Sequence, residues 1–161
     1  MASIRSGIGE SMEDRYLFKG KRIDNGEWVQ GNLVWSDDTD DDYKAVIIPT
    51  TNSNMFTRGG ARGDLGFENW CRVDPSTICQ RTGLKDKNGK LFLENDIMVA
   101  HLDEDYPEDE TYQIVLWHKG GFYTKENGCE EISPIDEFDQ EHFEVCGNIF
   151  DNKDLVESEE M

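Results

Sequence analysis

The chain has 161 residues, enough for one domain or for two small lobes that share a core. It carries 35 acidic and 16 basic residues, for a formal net charge of −19, which argues against binding nucleic acid because that affinity comes from Lys and Arg neutralising phosphate. No apolar run approaches the roughly 18 residues that span a bilayer, so we expect no membrane-spanning segment.

Short strands separated by polar turns are predicted for the first half of the chain. Residues 1–14 lack hydrophobic periodicity and lack the apolar core of a signal peptide, so we expect a disordered leader. Residues 16–23 and 28–35 are strand-like, and Asn25-Gly26 between them is typical of a β-hairpin. Residues 43–48 predict a third strand that stops at a proline, and residues 67–73 return to the sheet.

Two polar segments interrupt these strands. Residues 37–42 hold five aspartates, but Tyr43 stands where a calcium loop needs glycine and Pro49 where it needs glutamate, so a solvated acidic loop is expected. Residues 50–66 are polar and Gly-rich, and we predict a long mobile loop that contains Arg58 and Arg62. It lacks the pattern of a phosphate-binding loop.

The stretch from residue 73 to 99 organises the chain. Asn88-Gly89 predicts a hairpin with a type I′ turn, in which both central residues have positive φ. Asp86 is expected to bond its own turn backbone and Asp96 to cap the entry to the next strand. Lys85, Lys87 and Lys90 of the same turn would form a small basic patch on an acidic protein. The positions expected to shape turns are Asn25, Gly26, Gly83, Asn88, Gly89 and Asp96.

The second half continues the pattern. Residues 103–110 form a second acidic loop, residues 111–117 and 122–124 a hairpin, and Asp136 caps a short helix. We therefore predict an all-β, mostly antiparallel fold with one or two short helices at most. Residues 15–155 would form the folded domain, with an N-terminal β subdomain over 15–82, an SH3-like small barrel over 83–150 and an acidic tail over 156–161. The expected aromatic core is Trp28, Trp35, Trp70, Trp117, Phe92 and Phe122.

Residue types that carry chemistry are scattered. The cysteines lack C-x-x-C spacing, so we expect reduced thiols and neither a zinc site nor a disulfide. The histidines fall in different predicted elements with no nucleophile motif beside them, so we expect no catalytic residue, no metal and no cofactor. These residues are Cys71, Cys79, Cys129, Cys146, His101, His118 and His142.

Three motifs resemble the YopX family of phage and prophage proteins: R-I-D-N-G-E-W-V-Q-G-N-L at residues 22–33, T-G-L-K-D-K-N-G-K at 82–90 and F-E-V-C-G-N-I-F-D-N at 143–152. They occur in the family's order from about residue 16 to 155. The resemblance implies a phage-derived protein of the bacterial cytoplasm, without implying a reaction. Two positions depart from the family pattern: Asn95 replaces a usual glycine, and Arg81 replaces a usual aromatic residue.

The acidic loops and tail would create a strongly negative surface. We therefore expect a non-enzymatic interaction or regulatory protein that binds a host or phage protein, a basic one by preference, and does not bind duplex nucleic acid. The alternative is a small metal-dependent hydrolase that uses clustered carboxylates, and an SH3-like nucleic-acid-binding module fits the charge least. The candidate interaction surface comprises Arg81, Thr82, Lys85, Asp86, Lys87, Asn88, Lys90, Arg58 and Arg62.

Overall fold

The computed structural model of the protein describes residues 16–37, 44–60 and 63–156. These residues form short β-strands and one short helix, α1. Among them, no helix has the length and apolar character that crossing a membrane requires. The strands are β1 Phe18–Lys21, β2 Trp28–Trp35, β3 Ala45–Pro49, β4 Met55–Arg58, β5 Asp64–Phe67, β6 Cys71–Arg72, β7 Cys79–Lys85, β8 Leu91–Leu93, β9 Asp96–Ala100, β10 Thr111–His118, β11 Gly121–Glu126, β12 Ile132–Pro134 and β13 Glu144–Asn148. The helix α1 is Glu137–His142, and single 3-10 turns occupy Pro75–Thr77 and Lys153–Leu155.

The strands form three open sheets, with the orders β6-β3-β2-β1-β7-β8, β12-β11-β10-β9-β13 and β4-β5. Every described strand pair is antiparallel, so the prediction of an all-β, mostly antiparallel fold is confirmed. The predicted SH3-like barrel is wrong for the described residues. Its strands do not close, because β12 and β13 remain the outer strands of an open sheet and β8 pairs with β7 in another sheet.

The described chain divides into two compact units. The first unit is Tyr16–Gln80 and the second begins at Arg81, so the boundary falls within β7. The first unit has a small core of Ala45, Ile47 and Val73, with Phe18, Val29, Leu33 and Ile78 packed against it. Alternation along β2 and β3 directs these side chains to one face of the sheet, the inner face.

The second unit is built around β9. All five of its residues are buried, because the strand pairs with β10 on one side and β13 on the other. Its core consists of Phe92, Met98, Ala100, Val115 and Phe143. Burial of such side chains contributes about 25 cal/mol for each Å² of apolar surface removed from water.

The short helix α1 is held by its N-cap. The backbone amide of Asp139 donates to the Asp136 carboxylate (3.0 Å), and the amide of Asp136 donates to the Asp139 carboxylate (3.1 Å). This reciprocal capping box satisfies amides that a helix start otherwise leaves open. The predicted capping role of Asp136 is confirmed.

Two further predictions are wrong. Residues 50–66 are not a structureless loop, because β4 and β5 form a hairpin in which Met55 pairs with Phe67 and Arg58 with Asp64. Most of the expected aromatic core also lies outside the core: Trp35, Trp70 and Trp117 are about half exposed, whereas Phe92 is fully buried. Strand alternation and position at strand ends, rather than side-chain size, decide which aromatic residues point inward.

Candidate interaction surfaces

The turn between β7 and β8 has a geometry that differs from the predicted one. The Gly89 amide donates to the Asp86 carbonyl (2.9 Å), and the Asp86 amide donates to the Lys90 carbonyl (2.8 Å). Gly89 has φ of 80°, while Asn88 is not among the described residues with positive φ. The turn is therefore a three-residue loop with glycine in the left-handed position, not type I′.

The Asp86 carboxylate explains this geometry. One oxygen accepts hydrogen bonds from the amides of Asn88 (2.9 Å) and Lys90 (2.9 Å), which closes the turn around this carboxylate. The other oxygen accepts from the amide of Val145 on β13 (2.9 Å). Asp86 is only 5% exposed. Its predicted bonding to the turn is confirmed, and it also fastens the turn to a distant strand.

The predicted basic patch is present at this turn. Lys85, Lys87 and Lys90 are exposed on one hairpin. Exposed Asn88 donates through its side-chain amide to the Glu144 carboxylate (2.6 Å), which places a negative charge beside the lysines. The basic patch is therefore partly offset by β13.

The remaining predicted surface residues are less accessible or lie elsewhere. Thr82 is buried, and its hydroxyl donates to the Phe92 carbonyl (2.8 Å). Arg81 in β7 is half-buried and pairs with Leu93 in β8. Arg58 belongs to the first unit, where its guanidinium lies 5.4 Å from the centre of the Phe56 ring. Arg62 falls outside the described residues. Thr82 and Asp86 thus have structural contacts, and the structure brings together only the turn residues.

Of the other predicted turn positions, Asn25 and Gly26 lie between β1 and β2, whereas Gly83 lies within strand β7. Gly26 has φ of 73°, and the Asn25 side chain accepts from the Glu27 amide (2.9 Å). Asp96 is buried, and its carboxylate accepts from the Leu93 amide (2.8 Å), so its side chain braces the turn between β8 and β9. Gly83 has φ of 79° within the irregular pairing of β7 and β8.

An exposed acidic loop connects β9 and β10. Residues 101–110 are all exposed, yet the loop is internally bonded. The Asp103 carboxylate accepts from the amides of Asp105 (2.9 Å) and Tyr106 (3.2 Å), and the His101 ring nitrogen Nδ1 lies 2.8 Å from the Pro107 carbonyl oxygen. The acidic side chains of this loop therefore project from a defined backbone.

The negative charge is concentrated in one half of the sequence. Residues 16–80 contain seven Lys or Arg and ten Asp or Glu. Residues 81–161 also contain seven Lys or Arg, but they contain 22 Asp or Glu. The electrostatics of the acidic loop extend to Tyr112, whose hydroxyl donates to the Glu110 carboxylate. This hydrogen bond raises the pKa of Tyr112 to about 12, because losing the proton would leave two negative charges together. The predicted negative surface therefore belongs mainly to the second unit.

The described histidines and cysteines each have local contacts of their own. The His142 ring nitrogen Nδ1 lies 3.0 Å from the Phe138 carbonyl oxygen, and His118 packs edge-on against Tyr123. All four cysteines are thiols, and burial raises the pKa of Cys146. Across the described ranges, no group of three or more His, Cys, Asp or Glu side chains is arranged to hold a metal ion.

A third surface, not predicted from the sequence, lies on the face of the first unit's sheet that points away from its core. We call it the outer face. In the described strands β1, β2, β3 and β6, alternation and register place three cations and no carboxylate there. Its side chains are Lys19, Lys21, Trp28, Gln30, Asn32, Val34, Val46, Ile48 and Arg72.

One end of the outer face is basic and aromatic, and the other is apolar. The Lys19 and Lys21 ammonium groups lie 4.3 Å and 5.3 Å from the centre of the Trp28 ring. The apolar end is an open pocket of about 270 Å³. It is lined by Val34, Val46, Ile48, Phe67 and Trp70.

The β4–β5 hairpin leads directly into this pocket. Its base is tied by the Asn54 side chain, which donates to the Glu68 carboxylate (3.0 Å), and by the Ser53 hydroxyl, which donates to the Asn69 carbonyl (2.7 Å). Phe56 lies across Gly66, where an added Cβ would come within 2.6 Å of the ring. The turn signal Gly59-Gly60 was the sequence feature that could have indicated this hairpin.

Comparison with known proteins gives a family and a fold. The family model described as YopX protein matches residues 17–157. Three chains of solved structure match; one, the crystal structure of protein EF1440 from Enterococcus faecalis, has a TM-score of 0.55 and 23% identity over 86% of this chain and 96% of that one. That likeness concerns the fold alone. No curated protein matches.

Proposed function

This chain belongs to the YopX family, and we propose that it is a non-enzymatic, phage-derived interaction protein that binds a basic protein in the bacterial cytoplasm. The observation that carries the proposal is the uneven charge: residues 81–161 hold 22 acidic and seven basic residues. A surface with this balance attracts a partner of opposite charge and speeds encounter with it.

The acidic loop of residues 101–110 is the proposed contact. Every residue in it is exposed, and the Asx-type contacts of Asp103 fix its backbone. A preformed loop loses less conformational entropy on binding than a flexible one. Because the charges are exposed, salt should weaken the association, since screening limits their reach to about 10 Å at 0.1 M.

A capture experiment with host lysate tests the proposal. Immobilised full-length chain is incubated with lysate at low and high salt, and bound proteins are quantified by mass spectrometry. The test variant neutralises Glu104, Asp105, Glu108 and Asp109 as Gln or Asn and leaves Asp103 to hold the loop. We expect the parent chain to capture a basic protein and this variant to fail to capture it.

The matched control removes the same amount of charge from the other acidic segment. Asp37, Asp38, Asp40 and Asp41 are replaced by Asn, so the net charge of the two variants is equal. The partner should stay bound to this control. A neutral or acidic partner, or equal loss from both variants, would contradict a charge-specific contact at the 101–110 loop, and tight binding of duplex DNA would contradict the electrostatic argument as a whole.

A further inference from the structure

We infer that the protein forms a dimer in which strand β4 of one copy pairs antiparallel with β4 of a second copy, which gives a four-stranded sheet. This association goes beyond the proposed contact at the acidic loop, because it uses a different unit of the protein and a different partner. Three features support it: the open edge of β4, the lack of acidic residues in the sequence around it, and the register that two-fold pairing imposes.

Strand β4 has an edge that is available for pairing. Among the described strands it pairs with β5 alone, and all four of its residues are exposed. The Glu68 amide donates to the Asn54 carbonyl (2.9 Å), so alternation turns the backbone N–H and C=O groups of Met55 and Thr57 away from β5. A two-stranded hairpin is marginally stable by itself, and such an edge is a template for a further strand.

The charge around this edge suits a second copy of the chain. Residues 43–63 contain no Asp or Glu, the longest stretch of the sequence without one, although 35 of the 161 residues are acidic. Repulsion between two copies, each with a net charge of −19, is therefore reduced for an approach along β4. The strand also lacks proline and lysine, the residues that commonly prevent pairing at a sheet edge.

Two-fold symmetry fixes the register of the pairing. Met55 would exchange backbone hydrogen bonds with Thr57 of the second copy, and the symmetric pair would do the same. Phe56 would then lie opposite Phe56 of the second copy, where an aromatic cross-strand pair is favourable. Arg58 would lie opposite the uncharged Asn54, so no like charges meet along the strand.

Pairing would also extend an apolar face of the hairpin. Met55 is 70% exposed and Leu65 is 60% exposed, and both lie on the same face as Phe67. Across the four strands, each row of this face would read Leu65, Thr57, Met55 and Phe67, so that neighbouring side chains shield one another from water. Because the contact is short, we expect a dimer that depends on concentration rather than an obligate one.

The edge of β5 is less suitable. Pairing of β5 with a second β5 would set Leu65 opposite Phe67, but it would also set Asp64 opposite Glu68, and like charges directly opposite one another are destabilising. Pairing of β4 with β5 of another copy would leave one edge open at each end, so association would continue beyond a dimer. Both arrangements are separate outcomes of the experiments below.

Sedimentation equilibrium of the full-length chain over a wide range of concentration tests the inference. We expect the average mass to rise from that of a monomer to that of a dimer as concentration increases. Added salt should strengthen the dimer, because it screens the repulsion between two acidic copies. Salt should have the opposite effect on a basic protein bound at the acidic loop, so the two associations can be told apart.

Proline variants at the two edges separate strand pairing from general apolar association. Thr57→Pro removes an outward-facing N–H from β4 and hence one hydrogen bond from each copy, so it should weaken the dimer about tenfold or more. Leu65→Pro makes the same change directly across the hairpin, on the edge of β5. It should leave the dimer unchanged, although it removes the larger apolar side chain.

Cysteine cross-linking tests the register independently of the proline variants. In a non-hydrogen-bonded antiparallel pair the Cα atoms are about 4.5 Å apart, within the range that a disulfide spans. Phe56→Cys should therefore give a disulfide-linked dimer under mild oxidation. Arg58→Cys, on the same face of the same strand, should give no more cross-linking than the parent chain with its native cysteines.

Several outcomes would overturn the inference. These are a monomer at every concentration, a dimer that salt weakens, and equal losses in Thr57→Pro and Leu65→Pro. Selective loss in Leu65→Pro would assign the contact to β5, and growth beyond a dimer would assign it to pairing of β4 with β5. Equal cross-linking at positions 56 and 58 would refute the two-fold register.

Discussion

Replacing Asp86 with Ala should destabilise the second unit by about 3 kcal/mol. The change removes the acceptor of three backbone amides, those of Asn88, Lys90 and Val145. Asn88 and Lys90 are exposed, so water replaces the carboxylate as the acceptor of their amides. Each of these two lost hydrogen bonds should therefore lower the free energy of unfolding by about 0.5–1.5 kcal/mol. Val145 is half-buried, and an amide left without an acceptor in such a place costs about 1–3 kcal/mol.

Asp86→Asn is the matched variant. Its carboxamide oxygen can still accept from the two turn amides, but its NH2 group then faces the Val145 amide as a second donor. We expect a loss of about 1–2 kcal/mol, between the parent and Asp86→Ala. The order of stabilities therefore separates the contact to β13 from the contacts within the turn.

The assay combines urea unfolding with amide hydrogen exchange, because two compact units need not unfold together. Protection of the Val145 amide should fall by about a hundredfold in Asp86→Ala, since each 1.4 kcal/mol is a factor of ten. Stability within 1 kcal/mol of the parent, or unchanged protection at Val145, would show that this carboxylate does not hold the turn to β13.

Three further outcomes are expected. Gly89→Val should destabilise the protein by at least about 1 kcal/mol in urea unfolding, because φ of Gly89 is 80° and a β-branched side chain resists that conformation. Gly89→Asn should destabilise it less. Equal losses of stability in the two variants would show that the turn does not require a left-handed residue at position 89. Tyr112, with a pKa of about 12, should still hold its proton at about pH 11 in an ultraviolet titration, whereas Glu110→Gln should let it ionise nearer 10, and identical titrations would refute the hydrogen bond as the cause. Chelator and reductant should each leave the thermal transition unchanged; a large drop with either would reveal a metal or disulfide contribution.

Local patterns predicted the strands well where apolar alternation was combined with a strong turn signal. The bounds of β2, Trp28–Trp35, match the prediction. The Asn-Gly pairs located both turns, but in each the glycine alone takes positive φ, at Gly26 and Gly89. The turn type was decided at 86–90 by the Asp86 side chain, whose contacts reach a strand 59 residues away. A dipeptide rule cannot contain that information.

The outer face was missed because its pattern is divided among strands distant in sequence. Val34, Val46 and Trp70 are separate in the chain and meet only through the register of β2 and β3 and the path of the hairpin before Trp70. Tryptophan was assigned to the core because of its size. Composition gives no information on which face of a strand a residue occupies. The acidic loops could be recognised from the sequence because their exposure does not depend on how strands pair.

The position of β13 has a consequence for chains whose synthesis stops early. Until residues 144–148 leave the ribosome, β9 is an outer strand with four consecutive apolar residues after Asp96 and one unpaired edge. Such an edge is a template for pairing with other chains, and the turn carboxylate that will later bind β13 has no strand to hold. A product truncated before Glu144 should therefore aggregate even though most of its own fold is encoded. Strand β13 therefore covers the edge of β9 in addition to extending the sheet.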